Sequence, residues 1–191
     1  MAGAKGHQQA IRAWLETLTG PKRIVADSSI DVFNNIVVRL GMTEACYRLA
    51  FFLTEYLKFK HGITAEPIVG YVNDGTDELM ISHAWVEYKG TKIDLSLAIT
   101  EAHASGGLII LDQVLIPGQL QYSYHRMDTD ASRLRIEAEV AADPRWRSVM
   151  ERKGAEHALM LELVETRQSR LTYLNNAPDG MDFPTMCHMA G

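Results

Sequence analysis

Ile81-Ser82-His83-Ala84-Trp85-Val86-Glu87-Tyr88-Lys89-Gly90-Thr91-Lys92-Ile93-Asp94-Leu95-Ser96-Leu97 reads as two strands joined by a tight turn. β-Branched and aromatic residues alternate with polar ones on both sides of Lys89-Gly90, the pattern of an antiparallel hairpin. With Lys89 and Gly90 as the two turn residues, Tyr88 faces Thr91, Glu87 faces Lys92, Val86 faces Ile93, Trp85 faces Asp94, Ala84 faces Leu95 and His83 faces Ser96. One face then carries Ala84, Val86, Tyr88, Ile93, Leu95 and Leu97, a core face. The other carries His83, Trp85, Glu87, Lys92, Asp94 and Ser96, a polar face that would be merely half exposed if His83 only packed beside Trp85. On it His83 and Asp94 are diagonal neighbours, about 7–8 Å apart along the backbone and within reach of an imidazole–carboxylate hydrogen bond. Lys89 is the strained member, because the turn needs a positive φ there that Asn would adopt more readily.

Upstream of the hairpin, Cys46, Leu49, Ala50, Leu53 and Leu57 recur at three- and four-residue steps, which predicts a helix from Thr43 to about Lys60. Thr43 is its expected cap. Lys58, Lys60 and His61 complement the dipole at the far end before Gly62 stops it, so His61 has a structural role there. Cys46 is thereby placed in the first turn, at the start of the buried stripe.

The rest of the chain supplies helices on both sides of a strand-rich middle. Ile11, Trp14, Leu15 and Leu18 mark a helix over about His7 to Leu18 that Gly20-Pro21 is expected to stop, and a second helix is expected from Ser28-Ser29 to Gly41. Further strands are expected at Ile68 to Val72, with a turn at Asn73-Asp74-Gly75, and at Leu79 to Tyr88, Thr91 to Leu97, Leu108 to Leu111 and Leu120 to Tyr124. Helices return over about 131–173, with Asp143-Pro144 as a cap and first-turn proline and Gly154 as a break. The segment 175–191 reads as an irregular tail in which Met181, Met186 and Met189 fill gaps.

The chain of 191 residues is read as one domain, with 47% hydrophobic and 23% charged residues, 14 glycines and 6 prolines. A net charge of −5, with Lys and Arg dispersed, argues against nucleic acid as a partner. No apolar run has membrane-spanning length and no signal-peptide pattern is legible, so a cytoplasmic location is expected. The two cysteines, Cys46 and Cys187, are too few for a disulfide framework and are read as free thiols. Cys187, in the tail, has no acid or base at regular spacing and is expected to be dispensable.

A thiol attacks a carbonyl carbon as thiolate, which a helix start favours through unpaired N–H groups and the positive end of the dipole. A histidine beside it takes the thiol proton and returns it to a leaving group, and an acid fixes the imidazole tautomer. Cys46, His83 and Asp94 occur in an order and on elements that fit those three roles. The Cys46 backbone N–H is a candidate oxyanion donor. A second donor is not identifiable from the sequence; Asn34 and Asn35 lie upstream and are read as surface residues.

Gly41-Met42-Thr43-Glu44-Ala45-Cys46, the helix that follows, Gly70-Tyr71-Val72, His83-Ala84-Trp85-Val86-Glu87 and Ile93-Asp94-Leu95-Ser96 together resemble the transglutaminase-like, papain-related domain. The resemblance covers about residues 41–97. It implies an α+β fold in which a central helix carrying the Cys packs on an antiparallel sheet, with extra helices at both ends. It further implies Cys46 as nucleophile, His83 as general base and Asp94 as orienting acid, with no cofactor and no metal. The Trp that commonly follows the nucleophile is replaced here by Tyr47, which leaves subfamily and substrate open. The expected activity is hydrolysis or acyl transfer at an amide or ester bond of a peptide, protein or small molecule. A binding or regulatory module that keeps the fold without turnover is the second expectation. A metal site on the same three residues is a distant third, since one thiolate without a second Cys or close His is a weak ligand set.

Overall fold

In the computed structural model, which describes residues 2–99, 105–177 and 180–191, strands occupy the middle of the chain and helices both ends. Helix α1 spans Ala2–Thr17, α2 spans Gly20–Val32 and continues as a π-helical stretch over Phe33–Val38, and α3 spans Cys46–His61. Strands β1 (Glu66–Asn73), β2 (Ile81–Tyr88), β3 (Thr91–Asp94), β4 (Gly107–Ile110), β5 (Gln113–Pro117) and β6 (Ser123–His125) follow. Helices α4 (Asp130–Ala142), α5 (Trp146–Val164), α6 (Arg167–Asn175) and α7 (Phe183–Ala190) complete the described chain. The architecture is α+β.

The strands form one antiparallel sheet in the order β5-β4-β3-β2-β1-β6. Neighbours in sequence are neighbours in space except at β6, which returns past four strands to pair with β1, matching Val72 with Tyr124. The hairpin register is the expected one, with Val86 opposite Ile93, Glu87 opposite Lys92 and Tyr88 opposite Thr91. Lys89 (φ 51°) and Gly90 (φ 77°) both adopt the left-handed conformation that a two-residue primed turn requires.

Helix α3 lies against β1 and β2 on one side and against α2, α6 and α7 on the other. Phe51, Phe52 and Leu57 on it are fully buried, each contributing about 1.5–3 kcal/mol of apolar burial. Gly62 (φ 68°) ends it in the left-handed cap geometry, and Lys58, Lys60 and His61 lie in its last turn. Its buried surface includes one carboxylate, Glu55, 1% exposed, which Arg167 of α6 holds at 2.8 Å and Arg170 at 2.7 Å. This buried ion cluster ties α6 to the back of α3.

Several boundaries differ from the sequence-based expectations. Gly20-Pro21 opens α2 rather than stopping α1: a proline lacks only an N–H that the first turn leaves unpaired in any case. Ser28 and Ser29 are therefore mid-helix and buried, with the Ser29 hydroxyl donating back to the Val25 carbonyl at 2.7 Å. Thr43 does not cap α3; the cap position is Ala45, with no side-chain cap bond. Gly154 does not break α5, because it sits where nothing lies within 4 Å and its cost is only about 1 kcal/mol. The break comes at Thr166, whose side chain accepts from the Ser169 amide and starts α6.

Asp143 ends α4 instead of capping α5, and it engages Arg145, the residue at the cap position of α5. The tail is helical over α7, where Asp182 caps and Pro184 lies in the first turn, and Met186 is fully buried. β5 was not anticipated. No helix among the described residues is long and apolar enough to cross a membrane.

Candidate active site

Cys46 is the first residue of α3, following Glu44 in the left-handed region (φ 52°) and Ala45 at the cap position. The cap bond of that turn runs from the Leu49 amide to the Ala45 carbonyl at 2.9 Å, so the amides of Cys46, Tyr47 and Arg48 precede the helical ladder. The Cys46 side chain is half-buried. It lies within hydrogen-bonding reach of the His83 imidazole on β2.

His83 Nε2 stands 2.6 Å from Asp94 Oδ2 on β3. That bond uses one ring nitrogen and leaves Nδ1 as the nitrogen available to the thiol. The polar face of the hairpin is covered rather than half exposed: His83 is 4%, Asp94 2% and Trp85 2% exposed. The sheet brings β6 and its tyrosine to this face, and alternation along one hairpin does not reveal such a cover.

The Asp94 carboxylate is fully engaged. Oδ2 accepts from His83 and from the Tyr124 hydroxyl of β6 at 2.8 Å, while Oδ1 accepts from the Ser96 amide at 2.9 Å and the Ser96 hydroxyl at 2.8 Å. The Ser96 bonds also explain why β3 stops at Asp94 instead of running to Leu97: they turn the backbone out of the ladder. Burial alone raises a carboxyl's pKa, but here the His83 charge, its hydrogen bond and those from Ser96 and Tyr124 outweigh it and hold Asp94 below the usual carboxylate range. Burial likewise works to lower the His83 pKa, and the Asp94 charge and the hydrogen bonds to Asp94 and Cys46 reverse it, raising His83 to about 10. The pair favours an ionised carboxylate and an imidazolium.

Aromatic rings pack this face. The Trp85 indole lies nearly parallel to the His83 ring, 16° between planes at 6.5 Å, and the Tyr124 ring meets Trp85 edge-on at 5.2 Å. Trp85 Nε1 donates to Glu87 at 3.1 Å, and Glu87 accepts from Arg126 at 2.8 Å. Gly70 of β1 makes room for the indole: a Cβ there would lie 2.9 Å from Trp85 Cη2 and 2.4 Å from the His125 carbonyl oxygen.

A second buried polar group flanks the thiol. Tyr47, the residue after Cys46, has its hydroxyl 2.9 Å from His157 Nδ1 of α5 and is also bonded by the Ser82 side chain. His157 packs on the Tyr71 ring at 4.5 Å, and its Nε2, like Asp128 Oδ1, is buried with no hydrogen-bond partner among the described residues. Burial lowers the His157 pKa against the opposing charge of Asp128. Cys187 lies apart on α7, half-buried, its thiol pushed up to about 11 by burial and only partly countered by Lys60.

Among the described residues no three His, Cys, Asp or Glu side chains are grouped to hold a metal ion. A cavity of about 10 Å³, room for about one water, adjoins Cys46, Ala84, Trp85 and Asp94. A separate groove of about 650 Å³ is lined by Glu66, Glu87, Lys89 and Arg170 and includes neither Cys46 nor His83. The sequence does not single out Tyr124 or His157, and marks Tyr47 only as the residue after Cys46. Tyr124 lies 30 residues from Asp94 and His157 110 from Tyr47, and no local pattern links them. No protein-family model, no curated protein and no solved structure matches the chain.

Proposed function

We propose that this protein is a cysteine-dependent hydrolase or acyltransferase of the transglutaminase-like, papain-related kind, acting on an amide or ester through an acyl-enzyme on Cys46. The observation that carries the reading is the hydrogen-bonded chain from Cys46 through His83 to Asp94, buried at its acid end and half-buried at the thiol. With Nε2–H donated to Asp94, Nδ1 takes the Cys46 proton, and the carboxylate favours the resulting imidazolium beside the thiolate. The thiolate sulfur bonds to the substrate carbonyl carbon, and the oxyanion is met by first-turn amides of α3. Collapse of that intermediate breaks the carbonyl–nitrogen or carbonyl–oxygen bond, and the imidazolium gives its proton to the departing amine or alcohol. Water or an amine then attacks the thioester, losing a proton to His83 and releasing an acid or a new amide together with the free thiol. Asp94 keeps the tautomer and stabilises the imidazolium throughout.

The substrate is a peptide, a protein or a small amide or ester. The test is an electrophilic thiol probe on the wild type, Cys46→Ala and Cys187→Ser: labelling is expected to be lost in the first variant and kept in the second. Labelling that survives Cys46→Ala and disappears with Cys187→Ser refutes the assignment. A non-catalytic module of the same fold is the second reading, favoured by the burial of His83 and the narrow cavity beside Cys46. A wild type that never labels at Cys46 selects it.

A further inference from the structure

Asp94 Oδ2 receives two donors from different strands, both on the β2 side of β3 in the sheet: His83 Nε2 at 2.6 Å from β2 and the Tyr124 hydroxyl at 2.8 Å from β6. We propose that Tyr124 is a positioning residue of the Cys46–His83–Asp94 site, its phenol sharing Oδ2 with the imidazole and thereby limiting how strongly the carboxylate holds the imidazolium proton. The inference rests on the thiol chemistry proposed above and adds to it a group that does not meet the substrate.

The physical need is a balance. A buried carboxylate with a single partner concentrates its charge on that partner, and an imidazolium held that firmly is a poor acid toward a leaving group. General acids work best when their pKa lies near the operating pH. A second donor on the same oxygen withdraws charge from the His83 bond without removing the carboxylate. It also fixes the in-plane direction of Oδ2, which orients the imidazole toward Cys46.

Several features equip Tyr124 for that part. β6 is only three residues long and reaches the site through its pairing with β1, so its placement depends on the whole sheet. The ring is held by Trp85 at 5.2 Å, and Trp85 in turn occupies the space that Gly70 leaves open. Lys92 Nζ stands 3.8 Å from the centre of the Tyr124 ring, and a cation on that face draws electron density from the phenol and makes it a stronger donor. Burial, then the Asp94 charge, push the phenol far above its ordinary range, so it remains a protonated donor wherever the thiol works. The charged and titratable groups around the imidazole are Cys46 of α3, Asp94 of β3 and Tyr124 of β6, with Lys92 of β3 behind the Tyr124 ring and Glu87 of β2 engaged by the Trp85 indole.

Two full-length variants test the proposal in opposite directions. Tyr124→Phe keeps the ring and removes the hydroxyl; fluorotyrosine incorporated at position 124 keeps every contact and strengthens the donor. NMR of the His83 imidazole is expected to show its titration midpoint rising by about half a unit to one unit in Tyr124→Phe and falling with fluorotyrosine. The alkaline limb of the Cys46 alkylation profile is expected to move with it. An unmoved midpoint in both variants overturns the proposal, and so does a loss of alkylation that is equal at every pH. If Tyr124→Phe does not fold, the fluorotyrosine chain decides alone. A wild type whose Cys46 resists the probe defeats the enzymatic reading, whereas the His83 midpoint still answers for Tyr124.

Discussion

Replacing Asp94 by Asn changes one atom group in a setting where all four acceptor positions are used. The carboxylate takes His83 and Tyr124 on Oδ2 and two donors from Ser96 on Oδ1. An amide has one acceptor oxygen, and its NH₂ must face one of those pairs of donors. If the NH₂ faces Ser96, a backbone N–H that cannot rotate away is left unmatched. If it faces His83, the imidazole must turn Nε2 into an acceptor and carry its proton on Nδ1, where the thiol then finds no base. Loss of the charge also removes what favours the imidazolium. Either orientation strands a buried donor, which costs about 1–3 kcal/mol, and the charged bonds lost bring the total to about 3 kcal/mol of stability.

That is tolerable against a typical total of about 5–15 kcal/mol, so the variant is expected to fold. Its thiol is expected to react about 10²–10⁴-fold more slowly, the usual cost of a wrong tautomer. The assay is alkylation by a small haloacetamide at pH 7, with the modified cysteine identified by mass spectrometry. Cys187 serves as the internal control: with a pKa of about 11 it is ionised to roughly one part in 10⁴ at that pH. A folded Asp94→Asn protein that alkylates at Cys46 within twofold of the wild type, while His83→Ala collapses, reduces the site to a Cys-His pair and refutes the role given to Asp94.

Stability should follow pH through the same pair. Asp94 is depressed from 3.8, so its contribution is present above about that pH and disappears as pH falls through the lower folded value. His83 is raised from 6.5 to about 10, so its contribution is full below 6.5 and is lost as pH climbs toward 10. Thermal melts across pH should show both declines, and Asp94→Asn should flatten them. Gly70→Ala drives a methyl against the His125 carbonyl and the Trp85 ring, and a loss of about 1–3 kcal/mol is expected in denaturant titration; a neutral result means β1 and β6 part easily. Arg170→Ala leaves Glu55 with Arg167 alone, and a loss on the order of 3 kcal/mol is expected by the same measurement, whereas a loss below about 1 kcal/mol means that Arg167 satisfies the buried charge by itself.

Local pattern was sufficient for what depends on near neighbours. The alternation on either side of Lys89-Gly90 set the hairpin register, and register is a parity property that a turn of known length determines. The three- and four-residue spacing after Cys46 located α3 and put the thiol in its first turn, while Gly62 marked its end. Helix boundaries built on proline and glycine were less legible, because Pro21 and Pro184 suit a first turn as well as they suit a stop, and Gly154 has no neighbour to miss its side chain. What the one-dimensional pattern does not contain is which distant elements meet. His83 and Asp94 share a face by parity, but their burial follows from the sheet around them, and the engagement of Oδ2 from β6 follows from the pairing of Val72 with Tyr124. Likewise Tyr47 meets His157, and Glu55 meets Arg167 and Arg170, only once α5 and α6 have docked. Periodicity records each element's own apolar face; the partners that saturate a buried polar group are chosen when those faces close on one another.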